Sequence, residues 1–384
     1  VSKNAYNDFN EFTQSGGVKA SARGAKSRRP ISRNLAYLIF LLTIFVVLSV
    51  SLMALNNSSV SVDKRTVSVI GLPEDLEGYT ILFVSDLHAR SFGTGQTALL
   101  RTVNSLSYNL ALFGGDMVGR SGDAQPFYDL LEGMTANRPA YFIAGDSDPG
   151  PLVSAARGEN APLPNLVLAD WILGAQSRGA TYLSATTGVN VGNATIWLSP
   201  ASCLGIDIQE TLTAFESQEA AETDGVLYGV GADGEKLPFT SYRRIQMSKL
   251  NDAVRQMNDD DLQITLAHIP PLRDFIETTQ RKARAAVGTY AYLPASDLIL
   301  SGHYCGGGWK LPFYGALYVP NTLLPRHGWF PAREEVEGFK QIGGTIQYTS
   351  AGLSVTDRIY LPNFRLFNNP TVTLLTLTSA ITDD

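Results

Sequence analysis

The chain has 384 residues, 44% hydrophobic and 17% charged, which is the composition of an ordinary globular protein and a length that allows two or three domains. Its formal net charge is −6, and it becomes −11 once residues 1–33 are set aside, so broad binding to nucleic acid or to anionic lipid is disfavoured and no specific nucleic acid is expected. Two cysteines, Cys203 and Cys305, make no disulfide framework, although they can pair outside the cytoplasm.

Residues 1–33 hold seven basic and two acidic side chains and little apolar pattern, so they read as a disordered basic tail. Leu35–Leu55 follows, with 21 residues, no charge and no polar face. About 20 apolar residues cross a ~30 Å hydrocarbon core, so 34–55 reads as one transmembrane helix, a signal anchor. A cleavable signal peptide is the rival reading, but its apolar stretch is usually only ~7–15 residues. Positive flanks stay cytoplasmic, which gives a single-pass cell-membrane protein with its N-terminus inside and the rest extracytoplasmic.

Residues 56–65 read as a linker and 66–384 as an ectodomain, opening with a strand at Thr66–Leu72. Thr94–Leu106 places Leu99, Leu100, Val103 and Leu106 at helical spacing, and Asp123–Gly133 reads as a second crossover helix. The long stretch 149–262 is expected as an insertion over the cleft. It holds hairpin-like pieces at Gly179–Ser184, Gly188–Val191 and Ala194–Leu198, then helices at Leu212–Ala221 and Arg243–Met257. Arg273–Ala286 reads as a further helix, and Gly344–Thr349 and Thr371–Thr378 return to strand character.

Five apolar runs end on residues that bind metals. Tyr79–Ser85 leads to Asp86 and His88, Leu110–Gly115 to Asp116, and Ala140–Gly145 to Asp146. Gln263–Ala267 leads to His268, and Leu298–Gly302 to His303 and Cys305. Open α/β sheets place ligands outside the carboxyl ends of their strands, and carboxylate, imidazole and thiolate hold hard and borderline cations. Asp86, Asp116 and Asp146 are spaced at equal intervals of 30 residues, the length of a βαβ unit. Three of the four histidines sit on this pattern.

In order and spacing these segments resemble the calcineurin-like metallophosphoesterase superfamily, which shows D-x-H, G-D, G-N-H-[DE], a lone His and G-H-x-H. Here they read SDLHAR (85–90), GGDMVG (114–119), GDSD (145–148), AHIPP (267–271) and GHYCGGGWKLP (302–312). YTSAGL (348–353) and LPNFRLFNNPTVTLLTL (361–377) are similar to the closing motifs of its membrane-associated bacterial branch. The resemblance implies a four-layer α-β-β-α sandwich of two mixed sheets. It also implies two divalent or mixed-valence metal ions (Mn, Fe or Zn), held by Asp86, His88, Asp116, Asp146, His268, His303 and Cys305, with Asp116 bridging. Asp148, the acid that closes GDSD, and Arg90, as a phosphate clamp, are the candidate catalytic residues. A solvated loop arginine is the plainer reading of Arg90.

The implied activity is metal-dependent hydrolysis of a phosphomonoester or phosphodiester outside the membrane. Lipid head groups, envelope polymers and nucleotides are the candidate substrates. Three departures from the pattern matter: Asp146, which can still ligate, stands for the family's Asn, Ser147 for the His that faces the leaving group, and Cys305 for the last His. Ser147 and Cys305 support the alternative of a metal-binding but inactive relative that acts as a binding or scaffold module. His327 is a candidate acid or ligand, with a surface-loop role as its plainer reading. Tyr304 and Trp309 flank Cys305 as packing or stacking groups.

Overall fold

The structure is a computed structural model that describes residues 32–155, 165–221, 228–230, 236–311, 313–319, 324–355 and 365–379. It forms two compact units, Val1–Val50 and Ser51–Asp384. The described part of the first unit belongs to helix α1 (Arg33–Ser58), which contains no glycine or proline. Its segment Arg33–Ser51 is long and apolar enough to cross a membrane, and none of it is buried; a signal sequence passes the same test of length and composition. The expected tail at 1–33 lies almost wholly outside the described residues.

The second unit runs in chain order through β1 (Ser61–Val69), β2 (Thr80–Val84), α2 (Thr97–Val103), β3 (Leu110–Phe113), α3 (Gln125–Gly133) and β4 (Ala140–Phe142). Next come β5 (Leu152–Ala155), β6 (Asn165–Leu168), α4 (Asp170–Gln176), β7 (Thr181–Tyr182), β8 (Thr187–Val191) and β9 (Ala194–Pro200). Helix α5 (Ile208–Ala221), β10 (Tyr228–Val230), β11 (Lys236–Pro238) and α6 (Phe239–Val254) lead to β12 (Leu262–Ala267), α7 (Arg273–Ala285) and β13 (Leu298–Ser301). The chain closes with β14 (Lys310–Leu311), β15 (Gly315–Ala316), α8 (Arg333–Val336), β16 (Gly338–Ile342), β17 (Thr345–Thr349) and β18 (Thr371–Ser379).

Two six-stranded mixed sheets form the centre, in the orders β1-β18-β2-β3-β4-β7 and β16-β17-β13-β12-β9-β8. Strand periodicity explains the layers, since alternate side chains point to opposite faces. Ile81, Phe83, Leu110 and Leu112 share one core with Ile196, Leu198, Ile264, Leu266, Leu298 and Leu300 of the other sheet. Their neighbours Leu82, Val84, Ala111 and Phe113 face the other way, against Leu99 and Val103 of α2, Phe127 and Leu130 of α3, and Trp171 of α4. On the second sheet, Ile299 and Ile342 pack with Ile276 of α7. The order of layers is therefore helix, sheet, sheet, helix. Burying each such large side chain contributes ~1.5–3 kcal/mol.

Two boundaries differ from the sequence reading. Helix α1 runs to Ser58 and β1 starts at Ser61, so a linker at 56–65 and a first strand at Thr66 are both displaced. The cause is the ladder: β1 pairs in parallel with β18 along its whole length, from Ser61↔Thr371 to Val69↔Ser379. Nor is 149–262 a simple insertion. Strand β7 pairs with β4 in the first sheet, and β9 pairs in parallel with β12 in the second. The buried Ile196 and Leu198 of β9 belong to the central core, so residues 181–200 are built into the sandwich.

Candidate metal centre

The carboxyl ends of β2, β3, β4, β12 and β13 meet at one rim. Their side chains form two adjacent groups: Asp116, Asp146, His268 and His303, and beside them Asp86, His88 and Cys305. Within each group one ligating atom per residue lies within 4.8 Å of the others. Ligand atoms at ~2.0–2.4 Å from a shared cation stand no further apart than this.

In the first group, His268 Nε2 is 3.0 Å from Asp116 Oδ2 and 3.1 Å from Asp146 Oδ1, and His303 Nδ1 is 3.0 Å from the same Asp146 oxygen. Asp116 Oδ2 also lies 3.6 Å from His88 Nε2 of the second group, so this carboxylate stands between the two. The Asp116 side chain is fixed from its far side, where Oδ1 accepts the Ser147 N–H at 2.8 Å. Across the rim, Asp86 Oδ1 accepts the His303 N–H at 2.8 Å.

The backbone carries the cost of this convergence. Asp86, His88, Asp116, His303 and Cys305 all have left-handed φ angles, between +48° and +72°. Such conformations cost ~1 kcal/mol or more each in a residue with a side chain and cluster at functional sites. Glycines allow the close approach. A Cβ on Gly145 would stand 2.1 Å from Asp116 Oδ1, and one on Gly352, itself at φ +66°, would stand 2.7 Å from Asp86 Oδ2.

Two observations test whether these residues suit a cation. Asp86 Oδ2 is buried with no hydrogen-bond partner among the described residues. His268 Nε2 is buried between two carboxylate oxygens without making a hydrogen bond of good geometry to either. The other ring nitrogen of His268 donates to the Gly114 carbonyl at 2.8 Å, which turns Nε2 toward the two carboxylates. A carbonyl that accepts from the far ring nitrogen and so orients the imidazole is a regular feature of metal sites. The residues fit a metal.

Burial alone pushes the Asp116 carboxyl up, but the His268 and His88 rings and the Ser147 N–H outweigh it and hold it at about 2. For His268, burial works against protonation, yet Asp116, Asp86 and the Gly114 carbonyl raise it to about 9. His303 is lowered, by burial and then by His268. Burial and the nearby Asp86 push the Cys305 thiol well up. Its Sγ lies 3.7 Å from the His303 carbonyl, and both cysteines are free.

The two expected catalytic residues are placed away from this role. Asp148 Oδ1 accepts the N–H groups of Val118 and Gly119 at 2.8 and 2.7 Å, and Oδ2 accepts that of Gly145 at 2.9 Å. Its carboxylate ties the loop after β3 to the loop after β4. The Arg90 guanidinium donates to the carbonyls of Asn57 at 2.7 Å and Leu353 at 3.4 Å and lies over the Phe92 ring at 4.7 Å. His327 lies exposed in the turn Pro325–Gly328 and belongs to neither ligand group. Tyr304 packs its ring 5.2 Å from that of His303, and Trp309 bridges to Leu366.

Arg365 was given no role by the sequence reading. It is 1% exposed, and its guanidinium donates to the carbonyls of Ala351, Gly352, Ser354, Asn368 and Cys305. It thereby ties the loop that carries Cys305 to the loop after β17, and burial lowers its pKa to about 10. The available signal was a lone arginine inside the quoted segment LPNFRLFNNP.

No curated protein matches the chain by sequence. Among solved structures it is similar to a phosphopantetheinyl hydrolase from Mycobacterium tuberculosis, at 11% identity and TM-score 0.33, over 72% of this chain and 91% of that one. It is also similar to a candidate 5'-nucleotidase from Staphylococcus aureus in complex with alpha-ketoglutarate, at 10% identity and TM-score 0.32, over 80% of this chain and 55% of that one. A sulfate thiohydrolase from Thermus thermophilus, in complex with glycerol, gives 13% identity and TM-score 0.30, over 80% of this chain and 57% of that one. Likenesses this distant add nothing to the assignment. The family model does: it describes the calcineurin-like phosphoesterases and matches residues 79–306, more than half of the chain and the whole span of the ligand groups. The chain is a member of the calcineurin-like phosphoesterase family of hydrolases.

Proposed function

We propose that this protein hydrolyses a phosphoester at a dinuclear metal site, in a domain held outside a membrane by α1. The carrying observation is the convergence of seven ligand-type residues into two adjoining groups with Asp116 between them. Asp116, Asp146, His268 and His303 would hold one cation, and Asp86, His88 and Cys305 the other. Bound there, such a pair supplies a clamp for the phosphoryl oxygens and an acidified water as nucleophile.

The chain's own residues do the rest. Ser147 N–H and Gly114 carbonyl orient Asp116 and His268. Asp146 is the exposed member of its group, so phosphate and water arrive from that side. A cavity of about 300 Å³ opens beside it, lined by Tyr182, Leu183, Ser184, Pro200, Gln246 and His268 among others. Its described lining includes no Lys, Arg, Asp or Glu. This supports an uncharged, half-apolar group as the ester substituent and disfavours a second phosphate. Ser147 cannot give a proton to a departing alkoxide near neutral pH, and losing a general acid forfeits ~10²–10⁴ in rate. Leaving groups that need no proton are therefore favoured.

A series of aryl phosphates of graded phenol acidity tests this, with Mn²⁺, Fe²⁺ or Zn²⁺ supplied. The expected result is a steep rise in kcat as the phenol becomes more acidic; a flat series would refute it. The absence of an acid at Ser147 also favours a second reading, a metal-binding module without turnover. Bound metal at two equivalents, with no hydrolysis of even the most acidic phenyl ester, would establish that reading instead.

A further inference from the structure

We infer that the aromatic hairpin formed by residues 309–311, 313–319 and 324–330, which follows the Cys305 loop, is a membrane-interface contact. This rests on the anchored reading of α1 given above.

The described residues of the hairpin form one hydrogen-bonded unit. Leu317 N–H donates to the Trp309 carbonyl at 2.9 Å, Phe330 N–H to the Leu317 carbonyl at 3.0 Å, and Val319 N–H to the Gly328 carbonyl at 2.9 Å. Tyr318 bridges to Trp329, with ring centroids 4.7 Å apart. On this frame Phe313 and Tyr314, at the turn between β14 and β15, project into solvent, and Trp329 and Phe330 are about half exposed. Exposed aromatics of this number are costly in water and are the side chains that settle at a bilayer's headgroup level. The segment itself contains no Asp or Glu, and its Lys310 is paired with Glu337.

What identifies the occupant is how the hairpin is moored. The Lys310 N–H donates to the Leu366 carbonyl at 2.8 Å, and Trp309 bridges to Leu366. The adjoining Arg365 is held by Asn57 of the last turn of α1: Arg365 N–H donates to Asn57 Oδ1 and Asn57 Nδ2 donates to the Arg365 carbonyl, both at 2.8 Å. Asn57 lies two residues beyond the end of the charge-free run Leu35–Leu55. A helix that spans a bilayer leaves it at about this residue, so the hairpin base lies close to the emergence point. The Cys305 loop is tied to the same Arg365.

The test uses the full chain reconstituted in phosphatidylcholine nanodiscs, with a nitroxide on Phe313→Cys and, as a solvent reference, on Val287→Cys. Val287 is exposed on another part of the second unit, and the native Cys203 and Cys305 are buried. Collision with oxygen relative to a water-soluble nickel chelate should be several-fold higher at 313 than at 287. Phe330→Cys, on the other strand of the frame, should shift in the same direction. Equal values at 313, 330 and 287 in co-eluting nanodiscs would overturn this inference and leave the anchor standing, with a protein partner or a free surface as the alternatives. A chain that elutes apart from the nanodiscs would overturn both.

Discussion

The backbone N–H of His303 donates to Asp86 Oδ1 across 217 residues of chain, and this bond joins the rim of one sheet to that of the other. It couples the two ligand groups, since Asp86 belongs to one and His303 to the other. Asp86→Asn keeps an oxygen for that N–H while removing the charge. The purified protein should then lose about one equivalent of bound metal, measured by elemental analysis. Asp86→Ala removes the acceptor as well, so both equivalents should fall.

Asp148 should prove to be a stability residue. Asp148→Ala strands the N–H groups of Val118, Gly119 and Gly145, and each buried donor left unmade costs ~1–3 kcal/mol. Urea denaturation should show a loss of ~2–5 kcal/mol. Asp148→Asn retains one acceptor oxygen and should lose less.

Arg365→Met takes the guanidinium away from five backbone carbonyls, of which those of Gly352 and Cys305 keep other donors, and a loss of ~3–5 kcal/mol is expected in the same measurement. Arg365→Lys should recover only part of it. A compact ammonium cannot reproduce the planar fork that reaches these oxygens together.

Asp297 gives a pH signature away from the metal centre. Burial raises its carboxyl from 3.8 to about 6, against the opposing hydrogen bond from the Gln263 N–H. A raised acid favours the protonated form in the fold. Its folded state is therefore unpenalised below pH ~4 and loses stability as pH rises through about 6, by at most about 3 kcal/mol. Asp297→Asn, which still accepts from Gln263, should raise Tm at pH 8 and change it little at pH 4.

Much of the site was legible before any coordinates because its residues obey local rules. A short continuous apolar run declares a buried strand, and the polar residue that ends it must stand at the strand's carboxyl end. Asp86, Asp116, Asp146, His268 and His303 were found in that way, and α2 announced itself by the helical spacing of Leu99, Leu100, Val103 and Leu106. Arg90 and Asp148 show where such reading stops. Both sit at the right places in the motifs, yet what each touches is decided by N–H and carbonyl groups that the motif does not contain. In the same way nothing local told that residues 181–200 belong to the two main sheets.

By itself the sequence determined the chemistry of the rim and the charge-free run before it, because residue type and spacing carry that information. The tertiary structure decided which polar groups face the cluster and which only brace it. Hydrogen-bond partners such as Asn57 and Arg365 lie 308 residues apart, and only the packed sheets bring them within bonding distance.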